Sequence, residues 1–334
     1  MKAVHLEDED TTSLGAPTAP FEAIELEEAL KEDAPKWLEA IYEEGNSLKK
    51  LNTFTIMRGK IPNGRKVITS RWVLRKKFKA NGSIARRKAR LVARGFEQVA
   101  GLDYFATFAS VIRYTTLRIL LAKVAAEDLE ADHVDIDTAF LNPDLEEEIY
   151  IAVPRFLEKV FPELASATDA YLKLNKALYG LKQAPRAWFL IVKKFFVDLG
   201  LKSSDADPNL FTGCGVSILL FVDDMLICGK RQDVDTVKAM IRKEWKSKDL
   251  GPVEVFVGFQ IQRDRKKHTI KIHQTLYTTK LLQRLKMDKS NPTLLPIPAG
   301  TVLKECDIDD LLEDDDIIVY RQIVGSTIYL SNNT

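Results

Sequence analysis

Phe221-Val222-Asp223-Asp224-Met225-Leu226 sets two adjacent carboxylates between two apolar runs, an arrangement that building a core does not call for. Ile218 to Val222 enters and Met225 to Cys228 leaves, both β-branched or bulky, so the segment reads as two buried strands joined by a tight turn with the acids at its tip. Burying neighbouring anions costs several kcal/mol unless a cation sits on them, which makes a divalent ion the natural partner. Asp309-Asp310 and Asp314-Asp315-Asp316 provide the internal contrast, acidic runs in a polar stretch that read as solvated loop. A further acidic feature lies in His133-Val134-Asp135-Ile136-Asp137-Thr138. Period-two alternation puts Asp135 and Asp137 on one face and Val134, Ile136 and Thr138 on the other. Beside the Asp223-Asp224 hairpin, such a strand would gather three acids around a pair of ions, as in-line phosphoryl transfer requires. Taken alone, the same pattern also fits an edge strand with a solvated acidic face.

The positive charge is segregated. From Arg58 to Arg94 the chain carries fourteen Lys or Arg residues and no Asp or Glu, while its net charge is +1. Such a block is a footprint for a polyphosphate partner, because neutralised phosphates release counterions; a solvated basic hairpin is the competing reading. The block has a fold of its own. Val67 to Arg75 and Arg90 to Arg94 bracket the turn signal Ala80-Asn81-Gly82-Ser83, which predicts an antiparallel hairpin suited to closing over a triphosphate. Upstream, Ala34-Pro35-Lys36-Trp37 opens a helical pattern through Trp37, Leu38, Ile41 and Leu48. Gly180 and Pro185 in Leu178 to Trp188 signal a turn and then a helix through Trp188 and Val192 to Leu199-Gly200. Cys214, Cys228 and Cys306 show no CxxC spacing and are odd in number, so neither a disulfide framework nor a zinc knuckle is expected, and an intracellular, reducing setting fits. No apolar run approaches the roughly 20 residues of a membrane span, and the acidic start has no secretory-signal order.

Lys88 to Phe96, Asp135 to Leu141, Tyr179-Gly180-Leu181-Lys182-Gln183-Ala184-Pro185-Arg186, Phe221 to Asp224, Asp249-Leu250-Gly251 and Phe256-Val257-Gly258-Phe259-Gln260 occur in that order. The set resembles the reverse transcriptase of copia-type LTR retrotransposons, from about Trp37 to the Val324 to Leu330 segment. Each motif alone is weak, and their joint order is specific.

The resemblance implies an α+β right-hand polymerase fold, an antiparallel sheet plus helices forming fingers and palm, with a partial thumb. Residues 1–30 would be an acidic linker, 31–260 fingers and palm, and 261–334 the start of a thumb or connection ending before an RNase H region. It implies that Asp135, Asp223 and Asp224, with the Ile136 carbonyl, hold two Mg²⁺ ions, Mn²⁺ being the alternative, and that Asp137 stands outside the metal set. Lys88 and Arg90 would hold the triphosphate, Phe140 would pack under the sugar and exclude a 2′-hydroxyl, and Tyr179, Gly180 and Lys182 would line the nucleotide and template side. Phe256, Val257, Gly258 and Phe259 would form the primer grip. Expected partners are an RNA template, a DNA primer–template duplex, deoxynucleoside triphosphates and other Pol polyprotein regions such as RNase H and integrase. A cytoplasmic virus-like particle or the nucleus is the expected location.

Asn142-Pro143-Asp144 and Ser110 depart from the family pattern at turns, outside the metal set. Two readings of the chain compete. An active RNA-directed DNA polymerase is favoured by the survival of all three aspartates and their flanking motifs; the other is an inactive nucleic-acid-binding remnant or recruited host protein. A two-metal nuclease would share the carboxylates but leave Phe140 and the 179–186 and 256–259 segments unexplained. His133 is assigned no role, and the chain reads as a polyprotein fragment or a frame that ends early.

Overall fold

The computed structural model describes residues 24–78, 84–295, 297–298, 300–302 and 313–333. In chain order its first elements are α1 (Leu26–Lys50), β1 (Phe54–Arg58), β2 (Val67–Ile68), β3 (Ser70–Phe78), β4 (Ile84–Ala93) and α2 (Tyr114–Ala126). The middle of the chain forms β5 (Glu130–Ile136), β6 (Tyr150–Ala152), β7 (Ala170–Leu174), α3 (Ala184–Asp198), β8 (Lys202–Ser203), β9 (Leu210–Gly213), β10 (Val216–Phe221) and β11 (Asp224–Gly229). It closes with α4 (Arg231–Glu244), β12 (Ser247–Pro252), β13 (Val255–Phe256), β14 (Phe259–Asp264), β15 (Thr269–His273), α5 (Thr275–Arg284) and α6 (Asp314–Asn333).

The apolar runs of β10 and β11 and the strand that β11 pairs with, β5, lie inside a six-stranded antiparallel sheet of order β12-β5-β11-β10-β9-β8. Both faces of that sheet are covered, which is why β11 is apolar at nearly every position and not alternating. On one face Val134, Ile136, Met225 and Ile227 join a core with Trp188 and Phe196 of α3 and Ile241 of α4. On the other, Leu226 and Cys228 pack with Leu117, Leu121 and Val124 of α2 and with Phe256 and Phe259 of the β13-β14-β15 sheet. β5 is therefore an internal strand between β11 and β12, and the edge-strand reading of its acidic pattern is set aside. Asp137 falls just past its end.

The basic hairpin forms as β3 paired with β4, Arg75 opposite Lys88 and Lys77 opposite Arg86; its turn at 79–83 lies outside the described residues. Val67 and Ile68, which the sequence places on the hairpin's first strand, instead pair in parallel with β6 as β2. Alternation splits the hairpin into two faces. Ala89, Leu91 and Ala93 turn to α1, joining Trp37, Ile41 and Leu48 in the core, and Lys88 and Arg90 turn the other way.

α1 begins at Leu26, inside the stretch read as linker, because Ala29 is already buried. The helix start read at Ala34-Pro35 is instead a kink inside α1: Asp33 leaves helical geometry (φ −161°, ψ 72°), and its carboxylate accepts the Lys36 N–H at 3.5 Å, as a helix-capping side chain does. Asp314 to Asp316, read as loop, fall in α6; Asp309-Asp310 lie outside the described residues. No helix among the described residues is long and apolar enough to cross a membrane.

Candidate active site

Antiparallel pairing puts Asp135 of β5 directly opposite Asp224 of β11. A two-residue turn, Val222-Asp223, joins β10 to β11 with Phe221 opposite Asp224, so the three aspartates lie at one end of the central sheet. The turn is held on both sides. The Trp188 indole N–H donates to the Val222 carbonyl at 2.6 Å, and the Ile136 N–H donates to the Asp223 carbonyl at 2.9 Å. Val222 pays with a left-handed backbone, φ +53°, which costs a β-branched residue about 1–3 kcal/mol.

The same strain recurs nearby. Thr138, just beyond Asp137, has φ +56°, and Val257, in the β13–β14 turn, has φ +49°. These three are the only β-branched residues at positive φ among the described residues, and each sits in a candidate site segment.

A cleft of about 160 Å³ brings the two charge classes together, lined by Lys77, Arg86, Lys88, Arg90, Asp135, Ile136, Asp137, Thr138, Asp223 and Lys248. Lys88 and Arg90 thus face Asp135 and Asp223. Lys248, opposite Asp135 on β12, places its ammonium 3.3 Å from Asp135 and 2.5 Å from Asp137, and Lys246 pairs with Asp137 at 3.1 Å. Burial, with Lys248 opposing and the charges of Asp224 and Asp137 reinforcing, raises Asp135 above the usual carboxylate range. Burial likewise works against the Lys248 charge, but Asp137 and Asp135 outweigh it and hold the ammonium above the ordinary lysine value.

Asp224 is 1 % exposed, and its Oδ1 lies 2.5 Å from His133 Nε2. A carboxylate only accepts, so that contact places the imidazole proton on Nε2. The His133 ring meets Phe256 edge-on, centroids 5.5 Å apart at 84°. Phe256 opens the β13–β14 turn, where Val257 and Gly258 (φ +79°) occupy the two central positions with Phe256 opposite Phe259, the geometry of a type I′ turn. The 256–259 segment is thereby seated beside the doublet.

The other nominated residues divide. The Arg90 guanidinium lies 4.8 Å over the Tyr179 ring, and Tyr179 meets Phe140 edge-on at 5.6 Å, so these three form one stack running inward from the cleft wall. Gly180 (φ +83°) is a point of backbone approach, since a Cβ there would stand 2.1 Å from the Ala93 carbonyl oxygen, and the Tyr179 carbonyl accepts the Ala93 N–H at 2.8 Å. Lys182 is outside the cleft lining, its ammonium 3.2 Å from the Tyr104 hydroxyl and 4.8 Å over that ring.

Among the described residues no three His, Cys, Asp or Glu side chains form a ready-made cation cage. The donor set nonetheless suits Mg²⁺, a hard ion held by one or two carboxylates and completed by water and substrate phosphates: Asp135 and Asp223 line the cleft together. Lys248 and His133 are the residues that the sequence reading left without a role. Asp249-Leu250-Gly251 is part of the motif series, but nothing in linear spacing ties Lys248 to Asp135; strand pairing does.

Comparison with known proteins agrees with this geometry. Residues 51–299 match the family described as reverse transcriptase (RNA-dependent DNA polymerase). The retrovirus-related Pol polyprotein from transposon TNT 1-94 of Nicotiana tabacum is 33 % identical over 301 residues, covering 87 % of this chain and 22 % of that protein. The Pol polyprotein from transposon RE2 of Arabidopsis thaliana is 34 % identical over 333 residues, 96 % and 21 % respectively. The transposon Ty1-DR1 Gag-Pol polyprotein of Saccharomyces cerevisiae is 29 % identical over 280 residues, 82 % and 15 %. The chain thus spans about a fifth of the length of the plant relatives. With aspartates clustered opposite a basic hairpin and this match over most of its length, the chain belongs to the reverse transcriptase (RNA-dependent DNA polymerase) family, as a domain of the copia type found in retrotransposon Pol polyproteins.

Proposed function

We propose that this chain adds deoxynucleotides to a primer 3′-hydroxyl on an RNA or DNA template, with Asp135, Asp223 and Asp224 as the metal-holding carboxylates. The observation that carries the reading is the single cleft in which Lys77, Arg86, Lys88 and Arg90 face Asp135 and Asp223. Cations on one wall suit a triphosphate and carboxylates on the other suit its counter-ions, which is the division of labour phosphoryl transfer needs. When bound, a pair of Mg²⁺ ions would lower the pKa of the attacking hydroxyl and neutralise charge on the leaving pyrophosphate.

The chain's own groups supply position. Lys88 and Arg90 hold the triphosphate; the Arg90–Tyr179–Phe140 stack fixes the floor under the sugar, with Phe140 excluding a 2′-hydroxyl. The 256–259 turn aims the primer terminus, and Gly180 keeps the Tyr179 segment against β4. Lys182 acts from the template side through Tyr104. In this reading β3, β4 and their surroundings are fingers, the six-stranded sheet with its helices is palm, and the chain beyond residue 260 begins a thumb. An RNA template, a DNA primer–template duplex and neighbouring Pol regions such as RNase H and integrase are the partners, inside the cell.

The test is extension of a DNA primer on an RNA template with Mg²⁺ and deoxynucleotides, beside Asp223→Asn and Asp135→Asn. Losing a metal-holding carboxylate removes several kcal/mol of charge stabilisation, so each variant is expected to extend about a thousandfold more slowly while still binding the duplex. Template-dependent extension that survives both substitutions would overturn the assignment. A wild-type chain that binds duplex and never extends it would leave a binding protein in place of a polymerase.

A further inference from the structure

His133 makes two contacts that belong to different parts of the machine. Its Nε2 donates to Asp224 Oδ1 at 2.5 Å, and its ring packs edge-on against Phe256 at 5.5 Å. The residue is 6 % exposed, Asp224 1 % and Phe256 1 %, so water does not compete for either contact. Its place on β5 is set by register: His133 pairs with Leu226 on one side and Gly251 on the other, two residues before Asp135 and on the same face. A buried hydrogen bond to a carboxylate is strong and directional, so it fixes the rotation of the Asp224 carboxyl group. The edge-to-face contact fixes the other end of the same imidazole against the residue that opens the Val257-Gly258 turn. Both turns joined in this way, Val222-Asp223 and Val257-Gly258, carry a valine at positive φ, a conformation that persists only where the surroundings over-determine it.

We propose that His133 is a positioning residue that ties the Asp224 carboxylate to the β13–β14 turn, so that the metal-holding doublet and the segment aiming the primer terminus are set as one unit. The proposal rests on the polymerase reading above for what the two ends do. The coupling itself rests only on the contacts of His133.

Two variants separate its two contacts. His133→Phe keeps an aromatic ring against Phe256 and removes the donor; His133→Gln keeps an N–H donor toward Asp224 and removes the ring. Single-nucleotide extension is measured for kcat and KM, Mn²⁺ binding to the enzyme–duplex complex is titrated directly, and duplex affinity is read by fluorescence anisotropy. His133→Phe is expected to lose about tenfold to a hundredfold in kcat and in Mn²⁺ affinity, the usual effect of removing a partner that orients a metal-holding group, with duplex affinity unchanged. His133→Gln is expected to recover kcat and Mn²⁺ affinity but to bind duplex about threefold to tenfold more weakly. Added to Asp224→Asn, His133→Phe should produce no further loss, because it acts through that carboxylate.

Equal profiles for the two variants, or an unchanged Mn²⁺ affinity in His133→Phe, would overturn the coupling while leaving the polymerase reading intact. If the wild-type chain extends no primer, that reading falls separately. The Mn²⁺ and anisotropy titrations still decide whether His133 joins the two segments.

Discussion

Val222, Thr138 and Val257 hold left-handed backbone where a β-branched side chain is disfavoured, and at Val222 the benefit is visible. The strained turn presents Asp223 to the cleft, with Trp188 and Ile136 holding its two carbonyls. Val222→Gly is expected to raise stability by about 1 kcal/mol, strain relieved less the entropy a glycine adds, and to slow extension about tenfold as the aspartate loosens. Denaturant unfolding and single-turnover extension on one preparation check both signs; a variant that is less stable and equally fast would show the strain to be incidental. The sequence singled out Asp223, Asp224 and Asp135 as acids in apolar surroundings, and the structure sets Asp135 opposite Asp224. His133 was visible and left without a role, since one histidine beside an aspartate says nothing about the residue on the next strand.

At the level of elements, α1 acts as a charge-matched support for the basic hairpin. Glu32 pairs with Lys76 at 2.7 Å, Asp33 with Arg87 at 2.9 Å and Glu43 with Arg86 at 2.8 Å. Glu44 beside them is buried, and burial pushes its carboxyl up to about 7 against the pull of Arg90, Lys88 and Arg86. An acid whose folded pKa is raised binds its proton more tightly when folded, so its contribution is fully present below pH 4.5 and is lost as pH rises through about 7. The difference in unfolding free energy between wild type and Glu44→Gln is therefore expected to shift by about 3 kcal/mol across that window, in favour of the variant at higher pH. A flat difference would show that Glu44 is ionised at no cost. On the back of β5, Asp132 is 1 % exposed and receives Arg231 at 2.7 Å and Lys238 at 2.6 Å, and Lys238 also reaches Asp249 of β12 at 2.7 Å. Burial pushes Asp132 up, but those two cations outweigh it and hold the carboxyl below its ordinary value. Asp132→Ala is expected to cost about 3 kcal/mol by leaving Lys238 short of a buried partner. A loss under about 1 kcal/mol in a denaturant titration would mean that α4 and β12 are held by apolar packing alone. The hairpin and α3 could be read from alternation and from turn residues, whereas nothing in the 130–137 pattern distinguished an internal strand from an edge.

For the molecule as a whole, a net charge of +1 conceals a cleft with cations on one wall and carboxylates on the other. Affinity for a primer–template duplex is expected to fall steeply with salt, as counterion release demands. Each of Lys77→Ala and Lys88→Ala should lower the slope of log K against log salt by about one if it contacts a phosphate. Anisotropy titrations at several salt concentrations would show this, and slopes unchanged in both variants would place the nucleic acid elsewhere. Lys248→Met removes the cation that sits on Asp135 and Asp137. It should leave duplex affinity within about twofold, because Lys248 is engaged by carboxylates rather than by phosphate.

The linear chain by itself determined the chemistry: which residues are acidic in apolar surroundings, where positive charge is concentrated, and the ordered motifs that mark the family, all matters of residue type and local periodicity. Tertiary structure decided which acids meet. Antiparallel register sets Asp135 against Asp224 and Lys248 against Asp135, and sheet packing brings Phe256 to His133 across more than a hundred residues. No period in a sequence encodes the partner of a strand, because pairing is chosen by the burial of both sheet faces at once. For the same reason the surroundings of Lys182 could not be read from its motif: its ammonium stands 3.2 Å from the hydroxyl of Tyr104, a neighbour chosen by folding and not by spacing.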